Sequence, residues 1–290
     1  STNFYNNIFT FLYCKLFNKK FIWHDAGSVP KNERPIFRKL IDPFLSIFIN
    51  NSDAYLTYNS FADKSLQRDF KIDSRLIFRA QNTVDIAQIN MDINKYEKTV
   101  KNFKIELGLV DHKLLLYIGG VEKRKKINYL IKTVAKLNKS GIRSKCLIVG
   151  DGPDKDYLIK SISKEEKKHT LFFGKKIKSA VKYILASDLV LLPSSGGLSV
   201  VSAFACGKPF VGSVKIEHGG IKDYVDHGIN GFLFEEDNLF ELYDYCYKIL
   251  TNKKLYKKMS IAALQKSTEL TVENMVNGFE KAVKFVTDET

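Results

Sequence analysis

Residues 191–209 read LLPSSGGLSVVSAFACGKP and join an apolar strand to a short helical pattern through a turn of small residues. Gly196 and Gly197 permit close approach to the backbone, and Gly207 followed by Pro209 ends the helix. The first N–H groups of a helix lack internal partners, and the helix dipole adds partial positive charge there. The stretch therefore predicts binding of a phosphorylated ligand.

On either side of this stretch, short apolar runs alternate with helical patterns. The clearest helix lies at 127–137, where apolar residues recur at the spacing i, i+3, i+4 and i+7. Such alternation favours parallel sheets built by right-handed crossovers, so the predicted fold class is α/β. Strands are predicted at 20–24, 54–58, 76–80, 113–119, 145–150, 170–173, 188–192, 210–212 and 231–234.

The pattern indicates a domain boundary near residue 106. Residues 86–106 are polar and charged with no strand pattern, and a fresh strand–helix series begins at 113. We predict a first domain over 1–106, a second over 107–271 and a final helical segment over 272–290.

The chain is basic, with 46 Lys and Arg against 32 Asp and Glu and a net charge of +14. This balance is compatible with a lysine-rich solvated surface, with attraction to anionic lipid headgroups, or with nucleic-acid binding. The basic residues are spread along the chain without a nucleic-acid module signature, which disfavours the last of these. We therefore predict no nucleic-acid partner, while peripheral contact with an anionic membrane and a merely solvated basic surface both stay open.

Four cysteines and five histidines are scattered without the paired spacing of a metal or redox site. This pattern predicts reduced thiols that pack in the interior, no bound metal and a cytoplasmic location. No signal peptide is visible, and Lys15, Lys19 and Lys20 interrupt the aromatic amino-terminal patches before they could span a bilayer.

Two glycine turns follow predicted strands. Gly119-Gly120 precedes a basic cluster at 123–126, which suits a diphosphate, although a solvated basic loop has the same pattern. Gly150-Asp151-Gly152-Pro153 is interpreted either as a nucleotide-side loop or as a plain strand-to-helix turn. Lys155 stands where a dinucleotide fingerprint needs its third glycine, which excludes that motif. Around Gly207-Lys208 the triphosphate-loop pattern also fails.

His24 and Asp25 end an apolar strand, and polar groups at strand ends face the ligand crevice of open α/β sheets. The alternative is a buried structural His–Asp pair. His218 precedes a short helical pattern next to two glycines and is a further ligand candidate.

Taken in order, these blocks resemble a family 4 retaining glycosyltransferase of the GT-B fold, which has two Rossmann-like parallel-sheet domains. The resemblance covers nearly all of residues 113–236 and rests on the order and spacing of the blocks together. The blocks are 113–119, Gly150-Asp151-Gly152-Pro153, Phe172-Phe173-Gly174, Ala186-Ser187-Asp188, Pro193-Ser194, Gly197-Leu198-Ser199, 203–209 and 230–233.

The resemblance implies that residues 107–271 bind a nucleotide-diphosphate sugar, that transfer keeps the anomeric configuration, and that no metal or other cofactor is needed. It places Lys125 at the diphosphate, relates His24 to a histidine near the reacting sugar, and brings the final helix back to the amino-terminal domain. The predicted catalytic residues are His24 and Asp25, and the predicted donor-binding residues are Gly119, Gly120, Lys125, Gly150, Gly152, Gly174, Ser194, Gly197, Leu198, Ser199, Ser202 and His218.

The sequence departs from the family pattern at three points. Gly120 stands where the family usually has Arg, and Ser194 and Ser202 stand where it usually has two Glu. Replacing a charge-assisted contact with a neutral one costs about 1.5–3 kcal/mol. The first strands of the amino-terminal domain are also expected to be absent, which would leave that domain truncated with an exposed sheet edge.

The leading prediction is a hexosyltransferase that moves a sugar to a glycan or lipid-linked acceptor in surface polysaccharide or glycolipid biosynthesis, at the inner face of the membrane. A non-catalytic or impaired sugar-nucleotide-binding protein of the same fold is the alternative, and the two serines favour it. A third hypothesis, a sugar-nucleotide epimerase, needs a pair of acid/base carboxylates that the sequence does not place.

Overall fold

The computed structural model describes residues 3–25, 36–176, 179–194, 197–214 and 220–288. The chain divides into two compact units, residues 1–82 with 272–290 and residues 83–271. In chain order the elements are α1 (Asn3–Leu16), β1 (Ile22–Asp25), α2 (Ile36–Asn50), β2 (Ala54–Thr57), α3 (Ser60–Phe70), β3 (Ile77–Arg79), α4 (Ile86–Glu106), β4 (Lys113–Ile118), α5 (Ile127–Lys139), β5 (Ser144–Val149), α6 (Lys155–Ser161), α7 (Lys164–Lys168), β6 (Thr170–Gly174), α8 (Ala180–Ala186), β7 (Leu189–Leu192), α9 (Ser199–Ala205), β8 (Phe210–Val214), β9 (Gly231–Glu235), α10 (Leu239–Thr251), α11 (Lys253–Ser267) and α12 (Val272–Asp288).

The first unit contains a three-stranded parallel sheet in the order β1-β2-β3. Its core is aromatic, with Phe11 of α1 edge-to-face against Phe21 at 5.5 Å between ring centres. Tyr55 of β2 is buried, and its hydroxyl donates to the Ile49 carbonyl at the end of α2. Burial raises the pKa of Tyr55 to about 12, so this phenol stays protonated and keeps donating to α2.

Helix α12 packs on β2 and β3 of the first unit, although it lies at the other end of the chain. The contact is close because Gly278 has no side chain: a Cβ there would lie 2.2 Å from the Arg79 carbonyl oxygen and 2.7 Å from the Ala80 Cα. Backbone at this distance cannot yield as a flexible side chain can. Gly278 therefore sets how near α12 lies to the sheet.

We expect Gly278→Ala to destabilise the first unit by about 1–3 kcal/mol, because overpacking outweighs the roughly 1 kcal/mol that Ala gains over Gly in a helix. Thermal unfolding followed by circular dichroism measures the change. Asn277→Ala, at an exposed position of the same helix, is the matched control and should keep the parent melting temperature. Equal melting of the two variants would contradict the close contact.

The second unit contains a six-stranded parallel sheet in the order β6-β5-β4-β7-β8-β9. The chain lays down β4 first, continues outward through β5 and β6, and then returns to the other side of β4 with β7. Its central strands are buried on both faces, as their continuous apolar runs predict. The strand order therefore reverses between β4 and β7.

The predicted fold class is confirmed, because both units are α/β with parallel sheets and each predicted strand is present with small shifts at its ends. The apolar face predicted for 127–137 is the buried face of α5. Within 191–209, the described residues form the end of β7, helix α9 and the predicted helix stop at Gly207, whose φ is +64°.

The division between the units differs from the predicted boundary, since it falls after Asn82 rather than near residue 106. Helix α4 belongs to the second unit and packs against α8 and α9. Ile89 of α4 is buried with Val181 and Ala205, and Phe103 lies edge-to-face against Tyr183 at 5.3 Å. The polar composition of 86–106 hides this thin apolar stripe, which is why the helix resembles a linker in the sequence.

Candidate functional site

The loops that follow β4 and β7 flank the point where the strand order of the second unit reverses. In open parallel sheets, ligands bind outside the carboxyl ends of the strands at such a switch point. The loop after β4 carries Gly119, Gly120 and Lys125, and the loop after β7 carries Ser194, Gly197 and Leu198. The fold thus brings the two main predicted donor-binding segments to the carboxyl ends of two neighbouring strands of one sheet.

The loops after β4, β5 and β6 are joined by backbone hydrogen bonds. The Gly119 N–H donates to the Val149 carbonyl at 3.1 Å, the Val121 N–H to the Asp151 carbonyl at 3.0 Å, and the Gly150 N–H to the Gly174 carbonyl at 2.9 Å. The Tyr117 hydroxyl donates to the Gly120 carbonyl at 2.7 Å. Together these bonds hold the loops at the carboxyl ends of β4, β5 and β6 in place before any ligand binds.

Gly150 and Gly152 are required by this packing. A Cβ on Gly150 would lie 1.8 Å from the Gly119 carbonyl oxygen, and one on Gly152 would lie 2.4 Å from the Val121 carbonyl oxygen. Close backbone packing therefore requires glycine at both positions, which agrees with the interpretation of this segment as a strand-to-helix turn. Contact of this loop with a ligand stays a prediction.

A cleft of about 390 Å³ opens along the same edge. It is bordered by the glycine turns after β4 and β5 and by the two exposed lysines that follow Gly174 of β6. Its volume lies within the range of about 300–1,000 Å³ that is typical of small-molecule sites. These two lysines, Lys175 and Lys176, are its described lining cations, and no sequence motif singles them out.

Lys125 lies in a 3₁₀ turn over Lys123–Lys125, directly after the glycine turn. Burial lowers the pKa of its ammonium group, and the charge of neighbouring Arg124 lowers it further. Among the described residues, the Lys125 ammonium has no ion-pair or hydrogen-bond partner. The charge of Glu122 acts in the opposite direction and raises the pKa of Lys125, but Glu122 forms its ion pair with Arg124. A half-buried cation without an ion-paired carboxylate is a natural site for an anion.

Its two basic neighbours are engaged elsewhere. Arg124 pairs with Glu122. Lys126 donates to Glu236 at 2.9 Å and to Asp237 at 2.6 Å. Three adjacent basic residues therefore have three different environments, and the sequence does not distinguish them.

Three buried serine hydroxyls lie along β7, α9 and β8 without a partner in the described part of the chain. They belong to Ser194, which is 4% exposed, to Ser199 at the start of α9, and to Ser213 of β8, which is fully buried. A buried hydroxyl that makes no hydrogen bond costs about 1–3 kcal/mol. Ser194 and Ser199 lie on either side of residues 195–198, in the segment predicted to bind the donor, whereas Ser213 is enclosed within the sheet.

The sequence analysis does not include Ser213 in the predicted site, because this residue belongs to no motif. The one sequence feature that distinguishes it is that it is a polar residue inside the apolar strand β8. Ser202 lies on α9, beyond Ser199, and is partly exposed. His218 and Gly196 lie outside the described residues.

His24 and Asp25 lie at the carboxyl end of β1, in the first unit. The His24 ring is exposed and packs edge-to-face on Tyr58, with 5.7 Å between ring centres. The Asp25 carboxylate accepts a long hydrogen bond of 3.4 Å from the Trp23 indole. The alternative of a buried structural His–Asp pair is wrong, because the imidazole is exposed.

The described residues contain no group of three or more His, Cys, Asp or Glu placed to hold a metal ion. Within the same residues, no helix is long and apolar enough to cross a membrane.

The family "Glycosyl transferases group 1" matches residues 100–266, more than half of the chain. The chain belongs to this glycosyltransferase family. The matched residues include both loops at the switch point, and thus Lys125 and Ser194.

Curated relatives in the family are partly similar in sequence. N-acetyl-alpha-D-glucosaminyl L-malate synthase of Bacillus anthracis is 29% identical over 193 residues, which are 64% of this chain and 49% of the relative. Alpha-monoglucosyldiacylglycerol synthase of Acholeplasma laidlawii is 29% identical over 182 residues, 60% of this chain and 43% of the relative. The chain thus spans about half the length of the curated relatives it matches.

HepE from Anabaena, solved in complex with UDP, superposes with a TM-score of 0.80 at 17% identity, covering 96% of this chain and 76% of that protein. WaaG, a glycosyltransferase involved in lipopolysaccharide biosynthesis, superposes with a TM-score of 0.66 at 15% identity, covering 90% and 73%. These likenesses confirm the predicted GT-B fold.

Proposed function

We propose that this glycosyltransferase-family chain binds a nucleotide-diphosphate sugar and transfers the sugar, with retention of configuration, to a glycan or lipid-linked acceptor. The observation that carries the proposal is the half-buried Lys125 ammonium, which has no partner among the described residues and lies beside the strand-order reversal. A diphosphate supplies the missing negative charge. The solved relative HepE was crystallised with UDP and with UDP-glucose, which supports this ligand class.

Transfer breaks the bond between the anomeric carbon and a diphosphate oxygen and forms a bond from that carbon to the acceptor oxygen. The acceptor proton leaves with the departing diphosphate, on which negative charge develops. Lys125 would stabilise that charge through its half-buried ammonium. No metal or other cofactor enters this proposal, and His24 with Asp25 is proposed to position a substrate.

The buried serines are proposed to supply hydrogen bonds on the sugar side of the site. Ser194 and Ser199 carry neutral hydroxyls that both donate and accept. They suit a polyhydroxylated ligand, although each bond is weaker than one to a carboxylate. This same observation favours the second candidate, a sugar-nucleotide-binding protein that does not transfer.

The proposed partners are a nucleotide sugar and a glycan or lipid-linked acceptor of a surface polysaccharide or glycolipid. The proposed place of action is the cytoplasmic face of a membrane. The net charge of +14 supports attraction to anionic lipids there.

Calorimetric titration with UDP, GDP and ADP, followed by a transfer and donor-hydrolysis assay with the matching nucleotide sugars, tests the proposal. Saturable binding of one nucleotide with turnover is the expected result. Binding without transfer or hydrolysis would support the second candidate. Absence of binding to all three nucleotides would overturn both.

We expect Ser194→Ala to stabilise the unliganded chain by about 1 kcal/mol, because it removes a buried hydroxyl that has no described partner. The melting temperature should rise by about 2–4 °C, while affinity for the nucleotide sugar should fall several-fold. Ser187→Ala is the matched control, since the buried Ser187 hydroxyl already donates to the Ile184 carbonyl at 2.8 Å. It should give no gain in melting temperature and leave affinity unchanged; a lower melting temperature for Ser194→Ala would contradict the assignment.

A further inference from the structure

Helix α1 and the residue after it expose a continuous apolar stripe. Its members recur at the spacing i, i+3, i+4, i+7 and i+8, which places them on one helix face. They are Phe9 (70% exposed), Leu12 (52%), Tyr13 (57%), Leu16 (79%) and Phe17 (54%). The opposite face is buried through Phe11 and Cys14, so the exposed stripe is additional to the one that packs on the core.

Helix α2 exposes a second stripe with the same character. Its members are Ile36 (79% exposed), Leu40 (67%), Phe44 (63%) and Ile47 (58%). The core side of α2 carries Leu45 and Ile49. Phe48 packs edge-to-face on Phe11 of α1 at 5.2 Å between ring centres, so the two helices are neighbours in the first unit. We name the two exposed stripes together the α1–α2 apolar surface.

The charges around this surface are positive. Lys15, Lys19, Lys20 and Lys39 are exposed on or beside the two helices. Helix α1 contains no acidic residue, and the one acidic residue of α2, Asp42, is 6% exposed. Among the described residues, Asp53 is a nearby carboxylate that lies 3.6 Å from Lys15 and 3.8 Å from Lys20 and offsets part of this charge. The surface therefore combines exposed aromatic and aliphatic side chains with a cationic border.

Large apolar patches on a protein surface mark interaction sites, and the charge pattern selects among their occupants. Amphipathic helices with Phe and Leu on one face and Lys beside it bind in the interface of anionic bilayers. Each lysine near such a surface adds attraction, which salt screens. No described helix is long and apolar enough to cross a membrane, so binding would be within one leaflet.

We propose that the α1–α2 apolar surface docks this chain onto a bilayer that contains anionic lipid. The apolar side chains enter the boundary between headgroups and acyl chains, and the lysines contact lipid phosphates. Docking gives the membrane contact a defined surface and does not depend on sugar transfer, because the surface shares no residue with the switch-point site.

Co-sedimentation with sucrose-loaded vesicles tests the proposal. One set contains phosphatidylglycerol and phosphatidylcholine, and the other contains phosphatidylcholine alone. We expect binding to the anionic set that is at least about tenfold tighter and that weakens in about 1 M salt, where the Debye length is about 3 Å. Equal binding to both sets, or binding to neither, would overturn the proposal.

The double substitution Leu16→Ser and Phe44→Ser removes one exposed apolar side chain from each helix. We expect at least about a tenfold loss of vesicle binding, because each is a large side chain whose burial in lipid is lost. Phe240→Ser, at a position of α10 that is 69% exposed, is the matched control and should bind vesicles like the parent chain. An unchanged affinity of the double variant would contradict the assigned surface.

Two further measurements distinguish membrane docking from misfolding of the double variant and from self-association. Calorimetric titration with the nucleotide should give the same affinity for the double variant and the parent, and both should melt at the same temperature. Light scattering after gel filtration tests whether a second copy of the chain occupies the surface instead. A dimer that the double substitution dissociates, without vesicle binding by the parent, would assign the surface to contact between copies and overturn membrane docking.

Discussion

Lys125→Ala is expected to weaken binding of the cognate nucleoside diphosphate by roughly tenfold to a hundredfold. A charge-assisted hydrogen bond contributes about 1.5–3 kcal/mol, and each 1.4 kcal/mol is a factor of ten. The Lys125 ammonium is half-buried and has no partner in the described residues, whereas Arg124 and Lys126 of the same loop are paired with carboxylates. Calorimetric titration of the parent and the variant with the same nucleotide measures the loss.

The diphosphate-specific part of this effect can be isolated with two controls. The free nucleoside lacks the diphosphate and should bind the parent and Lys125→Ala equally. Lys123→Ala changes an exposed lysine of the same 3₁₀ turn and should reduce affinity less than threefold, as expected for a screened surface charge. Equal losses for Lys123→Ala and Lys125→Ala would indicate general attraction by the basic loop rather than a specific contact.

The pH dependence provides a second readout. Burial lowers the pKa of Lys125, so its ammonium loses its proton at a lower pH than an ordinary lysine. Because the diphosphate binds the protonated form, affinity should fall as pH rises through this lowered value, beginning below the usual lysine pKa of about 10.4. Lys125→Ala should abolish this part of the profile, and a persisting slope would assign it to another group.

Gly150→Ala is expected to cause the largest loss of stability among single substitutions at the site. Its Cβ would lie 1.8 Å from the Gly119 carbonyl oxygen, and that carbonyl belongs to a turn held by hydrogen bonds to the β5 side. Backbone must move to admit the methyl group, so we expect a loss of about 3 kcal/mol or more. Thermal unfolding should show a fall of about 6–12 °C in melting temperature.

Gly120→Ala is the matched control for this prediction. A Cβ at Gly120 would meet the Glu122 carboxylate at 3.0 Å, and this flexible side chain can rotate away. It should therefore lower the melting temperature by less than about 2 °C, within the usual range for a surface change. If Gly150→Ala melts like Gly120→Ala, the loops after β4 and β5 do not pack this closely.

Much of the fold could be predicted because its signals are local. The buried face of α5 follows from apolar spacing along one helix, and the buried middle of strand β4 follows from an uninterrupted apolar run. The sequence analysis places helix α4 on the wrong side of the boundary between the units, because the burial of this helix depends on residues distant in the chain. Few of its residues are buried, and the partners that bury them lie on α8 and α9, far along the chain.

The candidate site could likewise be predicted only in part from the sequence. Motif order predicted that Lys125 and Ser194 belong to one ligand site, and the reversal of strand order brings their loops to the same sheet edge. The distinct roles of three consecutive basic residues could not be predicted, because the carboxylates that engage Lys126 come from the loop after β9. The burial of Ser213 without a described partner is visible only in the structure.

The sequence by itself determined the parallel α/β class, the strand and the helix within 191–209, and the membership of its blocks in a glycosyltransferase pattern. These features depend on periodicity, turn residues and helix ends, which act over a few residues. Only the tertiary structure decided which glycines are needed for close backbone contact, which cation lacks a described partner and which helix faces stay exposed. Those properties depend on burial and on neighbours distant in the chain, and no local pattern encodes them.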